Sequence, residues 1–286
     1  MKPLAECRVA VLGIGLMGGS LAGALRGHCR SVVGIARRSE TVEDAVGRGW
    51  IDGGGTDPTA ILLEVDIVVL ATPVRAILRQ IREFGPLFAD GSLVLDLGST
   101  KREIVEAMAG LPISVQPLGG HPMCGKETSG LEAADPGLYR GCTFILSPLE
   151  RTSAEALELG RALVETVGAH PLVLDAARQD RLVATLSHLP YLLACSLVRT
   201  ADAITSGDPA AWEIVAGGYR DTSRLAGGGV EMMLDILATN RRFVLEAAGV
   251  FREELDRLLR RIDVEDAEGL RESLVFSRDE RRRMFP

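Results

Sequence analysis

The chain has 286 residues, 47% of them apolar, and a formal charge of -7. Such a chain is too long and too apolar to be disordered, and its acidic balance excludes a general affinity for nucleic acid or an anionic membrane. Five dispersed cysteines (Cys7, Cys29, Cys124, Cys142, Cys195) with no C-x-x-C pair read as reduced thiols of a cytoplasmic protein, not as a disulfide frame or a metal site.

In chain order, residues 8–12 form an apolar strand, a glycine turn follows, and a helix runs to residue 25. This start reads as folded structure rather than a signal peptide, and no apolar run reaches the ~18 residues of a membrane span. A second strand spans 31–36, with Ser39 as the cap of the next helix. Strands at 65–70 and 92–97 each lead into a helix, the first of these at 74–83. Shorter strands are expected near 113–118, 143–147 and 171–174, with a helix at 153–167. Alternating strands and helices predict an α/β fold with a doubly wound, mostly parallel sheet. Ligands of such sheets bind at the carboxyl ends of the strands. Gly13, Ala36, Thr72, Ser99 and the segment Gly119-Gly120-His121 all fall there.

The pattern changes near Asp175. We divide the chain into a dinucleotide-binding domain at 1–174 and a helical domain at 175–286. A long apolar helix over 178–205 suggests a buried spine or a dimer interface. Further helices are expected at 210–225, 230–248, 250–262 and 264–275, and the arginine-rich tail from Ser277 reads as a solvated end.

The glycine turn carries G-x-G-x-x-G between a strand and a helix, the context that makes the motif informative. Gly13 supplies the turn, Gly15 lets a pyrophosphate approach the backbone, and Gly18 lets helix and strand pack closely. The helix N-terminus at Leu16 and Met17 offers free N–H groups to the anion. Thr72 lies at a neighbouring strand end. The second strand ends in Ala36, where an acidic residue would hold ribose hydroxyls, and continues as Arg37-Arg38-Ser39. Two guanidiniums and a hydroxyl suit a 2′-phosphate, so NADP is expected as the preferred cofactor and NAD as the second.

Four histidines are present. His28 lies in a polar loop, and His170 starts a strand. His121 sits in Gly119-Gly120-His121-Pro122-Met123-Cys124-Gly125, read as a glycine-rich loop on the ligand side, where an imidazole can take a hydroxyl proton as hydride leaves the same carbon. His188, within Ser187-His188-Leu189-Pro190, reads equally well as a core residue or as a side chain lining a cavity opened by the proline. Ser99 could reach a nicotinamide or the reacting hydroxyl, cap a helix, or do both. Either Arg220 or Arg224 could fork onto a substrate carboxylate.

Together GIGLMGGSLA at Gly13, ATPV at Ala71, DLGSTK at Asp96, GGHPMCG at Gly119, SHLP at Ser187 and GYRDTSRLAGG at Gly217 resemble the prephenate and arogenate dehydrogenases of tyrosine biosynthesis. The resemblance covers about residues 8–245. It implies a Rossmann-type domain followed by a helical domain that forms a homodimer. It also implies oxidative decarboxylation of prephenate to 4-hydroxyphenylpyruvate, or of arogenate to tyrosine. On this likeness His121 takes the hydroxyl proton and Ser99 orients hydroxyl and nicotinamide. Arg224 holds the ring carboxylate, and His188 lines the substrate pocket. Ala36-Arg37-Arg38 is similar to the NADP-using members. Leu225 to Val230 lacks an acid that some members use to favour arogenate, which removes one reason to expect that substrate. The two domains leave no room for a chorismate mutase segment or a separate regulatory domain. The rival readings are a dehydrogenase of small hydroxy acids or an imine reductase on the same scaffold, and a non-catalytic protein that senses the cofactor.

Overall fold

The computed structural model describes residues 1–126 and 128–285. Eight strands form one sheet in the order β3-β2-β1-β4-β5-β6-β7-β8. Strand β1 (Arg8–Leu12) leads through the glycine turn to α1 (Leu16–Leu25), then β2 (Ser31–Ile35) and α2 (Ser39–Gly47). A short edge strand β3 (Gly53–Gly55) and a single helical turn α3 (Thr59–Leu62) precede β4 (Ile67–Leu70) and α4 (Val74–Phe84). Then come β5 (Leu93–Asp96), α5 (Arg102–Ala109), β6 (Gln116–Pro122), β7 (Thr143–Pro148), α6 (Ala154–Thr166) and β8 (His170–Val173). The pair β6–β7 is antiparallel and every other pair is parallel.

The central strands are apolar at nearly every position because both faces are covered. Val9 and Val11 of β1 face the core beneath α1 and α6, with Leu21, Leu25 and Leu163. Ala10 and Leu12, one residue out of phase, face the opposite core beneath α4 and α5, with Ile77, Ile81, Ile104 and Met108. The two-residue alternation of the strand thus divides one apolar run between two cores.

Several sequence expectations need correction. Ser39 is the first residue of α2 rather than its cap; Arg38 holds the cap position and no side chain bonds there. Strand β3 escaped notice because three glycines give no apolar signal. Strand β6 lies later than 113–118, so His121 belongs to a strand, paired with Ile145, and not to a loop.

Beyond β8 the described residues are helical. α7 (Ala176–Val183), a wide π turn (Ala184–His188) and α8 (Leu189–Thr205) form one continuous helical run. By length and composition Ala176–Thr205 could cross a membrane, contrary to the reading of the bare sequence, where Ser187 and His188 break the apolar run. Short turns flank α9 (Gly217–Ser223), the second being Arg224–Gly227, and α10 (Val230–Thr239), α11 (Arg241–Asp263) and α12 (Ala267–Met284) follow. The expected break near Gly249 is absent. α11 runs unbroken through it, and the chain bends at Asn240 instead. The tail is helical to Met284, with Asp266 capping its helix by accepting from the Gly269 N–H.

Candidate active site

At Gly13 the backbone has φ +102°, and a Cβ there would stand 2.6 Å from Thr72 Cγ2. Its N–H donates to the Ile35 carbonyl at 2.8 Å, which fixes the turn against β2. A Cβ at Gly18 would collide with the Gly13 carbonyl oxygen, so α1 can approach β1 only with glycine there. Gly15 instead faces open space, and Gly15, Leu16 and Met17 are half-exposed at the helix N-terminus. A pyrophosphate fits this arrangement: free N–H groups, a positive dipole end and no side chain in the way. The Tyr139 hydroxyl donates to the Met17 carbonyl at 2.8 Å and steadies the first turn of α1.

Arg37, Arg38 and Ser39 are exposed beside β2. At the end of β4, the Thr72 hydroxyl donates to Gln80 Oε1 at 2.8 Å. That bond leaves the Thr72 oxygen lone pairs available as acceptors.

Beneath β5 and β6 lies a buried ion pair that sequence reading missed. The Lys101 ammonium contacts Asp96 Oδ2, and both side chains are fully buried. Asp96 also accepts from the Gly98 N–H at 2.7 Å and the Gly120 N–H at 3.0 Å. Burial pushes the Asp96 carboxyl up, while the ammonium and the two N–H donors pull it back. Burial likewise pushes the Lys101 ammonium down. A Cβ at Gly120 would strike the Asp96 carbonyl oxygen, which explains why glycine precedes His121.

His121 is 8% exposed, and its Nδ1 has no hydrogen-bond partner among the described residues. Burial first, then the Lys101 and His188 charges, lowers its pKa to about 3. The imidazole is therefore neutral at physiological pH. His188, also buried, is lowered to about 4 by desolvation. The π turn that ends at His188 is the kind of local widening that re-aims side chains at functional sites, and Pro190 just beyond it lacks the N–H a regular turn would use.

Three further residues tie the helical region to this end of the sheet. Asp180 on α7 accepts from the Lys101 and Arg102 N–H groups at 2.7 and 3.0 Å, so a carboxylate from another element caps α5. Ser99 does not cap it; Ser99 is half-buried, and its carbonyl accepts from Gln179 Nε2 at 3.3 Å. Asn240 donates to the Asp180 carbonyl at 2.7 Å and lies 3.3 Å from His188 Nδ1. Asp96 and Lys101 stood in a quoted motif, and a charged pair ending a buried strand was the available signal. Asp180 and Asn240 look like surface residues of ordinary helices and gave none.

Arg224 starts the short turn that packs on α8, the helix following His188, and is exposed in the single chain. Arg220 is exposed on α9. The structure therefore brings His121 within electrostatic reach of Lys101 and His188, with Ser99 on the segment that joins Asp96 to Lys101. It leaves Arg37, Arg38 and Arg224 at the surface. Among the described residues no metal-binding cluster occurs.

Comparisons with known proteins agree with this architecture. Residues 21–173 match the prephenate dehydrogenase nucleotide-binding domain, and residues 175–276 match the prephenate dehydrogenase dimerization domain. The prephenate dehydrogenase of Bacillus subtilis is 31% identical over 92% of this chain and 72% of its own length. The crystal structure of prephenate dehydrogenase from A. aeolicus, in complex with hydroxyphenyl propionate and NAD+, superimposes with a TM-score of 0.92 at 30% identity, covering 99% of this chain and 100% of that one. Synechocystis arogenate dehydrogenase gives a TM-score of 0.84 at 29% identity, over 97% and 99%. With both halves matched and the glycine turn open for a dinucleotide, the chain belongs to the prephenate dehydrogenase family, nicotinamide-dependent oxidoreductases of tyrosine biosynthesis that act on prephenate or arogenate.

Proposed function

We propose that His121 is the base of the reaction. The observation that carries this is a buried imidazole with a partnerless nitrogen, held by β6 beside Lys101. The ring hydroxyl gives its proton to the imidazole while its carbon gains carbonyl character. The bond to the ring carboxylate breaks, carbon dioxide leaves, and that electron pair completes the aromatic ring. Nicotinamide, when bound, supplies the hydride acceptor. Burial first, and the nearby Lys101 ammonium second, keep the imidazole neutral, and the negative charge of the substrate raises its basicity when it is needed. Ser99, at the end of β5, orients the hydroxyl and the nicotinamide. His188 lines the substrate pocket, and Arg224 holds the ring carboxylate once a second chain covers it.

Gly13, Gly15, Leu16, Met17, Gly18 and Thr72 cradle the cofactor, and Arg37, Arg38 and Ser39 select NADP over NAD. Support for that choice is the exposed guanidinium pair at a strand end that lacks an acid. We divide the protein at residue 174 and assign it to the cytoplasm as a homodimer. The dimer reading draws on the dimerization-domain match and on the apolar side chains left uncovered on the helical region, among them Leu186 at 74% and Ile204 at 79% exposure. Initial rates with prephenate and arogenate, each crossed with NADP and NAD, test the assignment. Replacing Arg37 and Arg38 together by serine is expected to weaken NADP by at least tenfold and leave NAD nearly unchanged. Equal weakening of both cofactors would reject the arginines as readers of the 2′-phosphate.

A further inference from the structure

Asn240 is buried at the bend between α10 and α11, and its amide meets two groups at once. One is the Asp180 backbone carbonyl at 2.7 Å, which can only accept. The atom facing it must therefore be the amide nitrogen, and this settles which way the amide points. The same nitrogen lies 3.3 Å from His188 Nδ1. An amide nitrogen offers no lone pair, so it donates here too, and Nδ1 must be the bare nitrogen of the ring. A neutral imidazole carries one proton, which then resides on Nε2. Among the described residues no acceptor is recorded for Nε2.

We propose that Asn240 is a positioning residue that fixes His188 as the Nε2–H tautomer, so that this side chain offers the substrate a neutral hydrogen-bond donor. The ligand group it meets is an oxygen acceptor, a carboxylate or the ring hydroxyl oxygen. The substrate half of the proposal rests on the reading that His188 lines the pocket; the tautomer half does not. The arrangement divides the labour between two buried imidazoles. His121 keeps a nitrogen free to accept a proton, while Asn240 leaves His188 only a donor to present. The same amide links three elements, because Asp180 also caps α5 beside Lys101.

The test begins with the wild-type protein. Nitrogen-15 NMR of the imidazoles, with His188 assigned by comparison with His188→Asn, should show Nε2 protonated and Nδ1 bare at neutral pH. Protonation at Nδ1 would overturn the proposal without any variant. In Asn240→Asp the carboxylate can only accept, so the proton should move to Nδ1. In Asn240→Ala the two tautomers should both be populated. The KM for prephenate should rise about tenfold in Asn240→Asp and only about two- to threefold in Asn240→Ala, where part of the population keeps the Nε2 proton, with kcat falling less than threefold and the thermal midpoint checked separately. An unmoved tautomer in both variants would reject Asn240 as the positioning group. A moved tautomer with unchanged KM would instead remove His188 from the substrate and leave the tautomer assignment standing.

Discussion

Burial decides the charge of His121 before any substrate arrives. An imidazole on the surface would be part-protonated near neutrality, and a protonated base cannot accept. With its pKa lowered to about 3, His121 is neutral throughout the working range. His121→Asn keeps a polar side chain of similar reach but offers no basic nitrogen. Turnover is expected to fall about 10²–10⁴-fold, with KM changed far less. A variant within a few-fold of wild type would pass the role to another group, His188 first. The same burial shapes acid stability. In the unfolded chain both imidazoles titrate near their ordinary value of about 6.5. In the folded chain they titrate at about 3 and about 4. Between pH 6.5 and 4 the unfolded state binds more protons, so stability falls as pH falls. Each histidine contributes a slope of roughly 1.4 kcal/mol per pH unit. Urea titrations across that window should give a shallower slope for His121→Asn than for wild type. Equal slopes would mean that His121 is not held neutral in the folded state.

At the scale of elements, α5 depends on a cap that its own sequence does not provide. Lys101 holds the cap position without a side-chain bond, and the carboxylate that satisfies the first N–H groups comes from α7. Asp180→Ala should cost about 1–2 kcal/mol, read as a lower urea midpoint at constant slope. A loss under about 0.3 kcal/mol would mean that water replaces the carboxylate. Such long-range caps explain the limits of sequence reading. The glycine turn and the ends of β1, β2, β4 and β5 were legible because their residues stand together in the chain and obey local rules. Ser39 looked like a cap because its residue type favours one, yet the helix begins at Ser39 itself. Asp180 and Asn240 act across 79 and 52 positions, on Lys101 and His188. No spacing rule reaches that far. The break at Asn240 rather than Gly249 was hidden for a related reason: a helix glycine costs only about 1 kcal/mol, which the packing of Phe243 and Val244 can offset.

For the whole molecule, the helical region leaves large apolar side chains exposed in the single chain. Trp212 and Ile214 are 58% and 79% exposed, and the run through α7 and α8 is long and apolar with little of its surface buried within the chain. Covering such a surface with a second copy is the ordinary outcome. Light scattering should give about twice the 30.6 kDa of one chain. Replacing Leu186 and Ile204 together by glutamate should shift the mass towards a single chain. A wild-type mass of one chain at micromolar concentration would reject the homodimer. If Arg224 meets substrate only beneath the partner, the dissociated variant should also lose substrate affinity.

The borrowed cap on α5 also bears on autonomy. Asp180 and Asn240 lie beyond residue 174, yet Asp180 caps the helix that follows β5 and Asn240 bonds the Asp180 carbonyl. Thr100 and Thr239 bridge the same boundary by a 2.8 Å hydroxyl contact, and the Arg102 guanidinium lies over the Phe243 ring across it. A cut at that boundary would remove the carboxylate that caps α5. An isolated nucleotide-binding half would carry an unfinished helix directly beneath its own ligand face. The two sequence modules thus share a helix cap, a hydroxyl bridge and a ring contact in the folded chain.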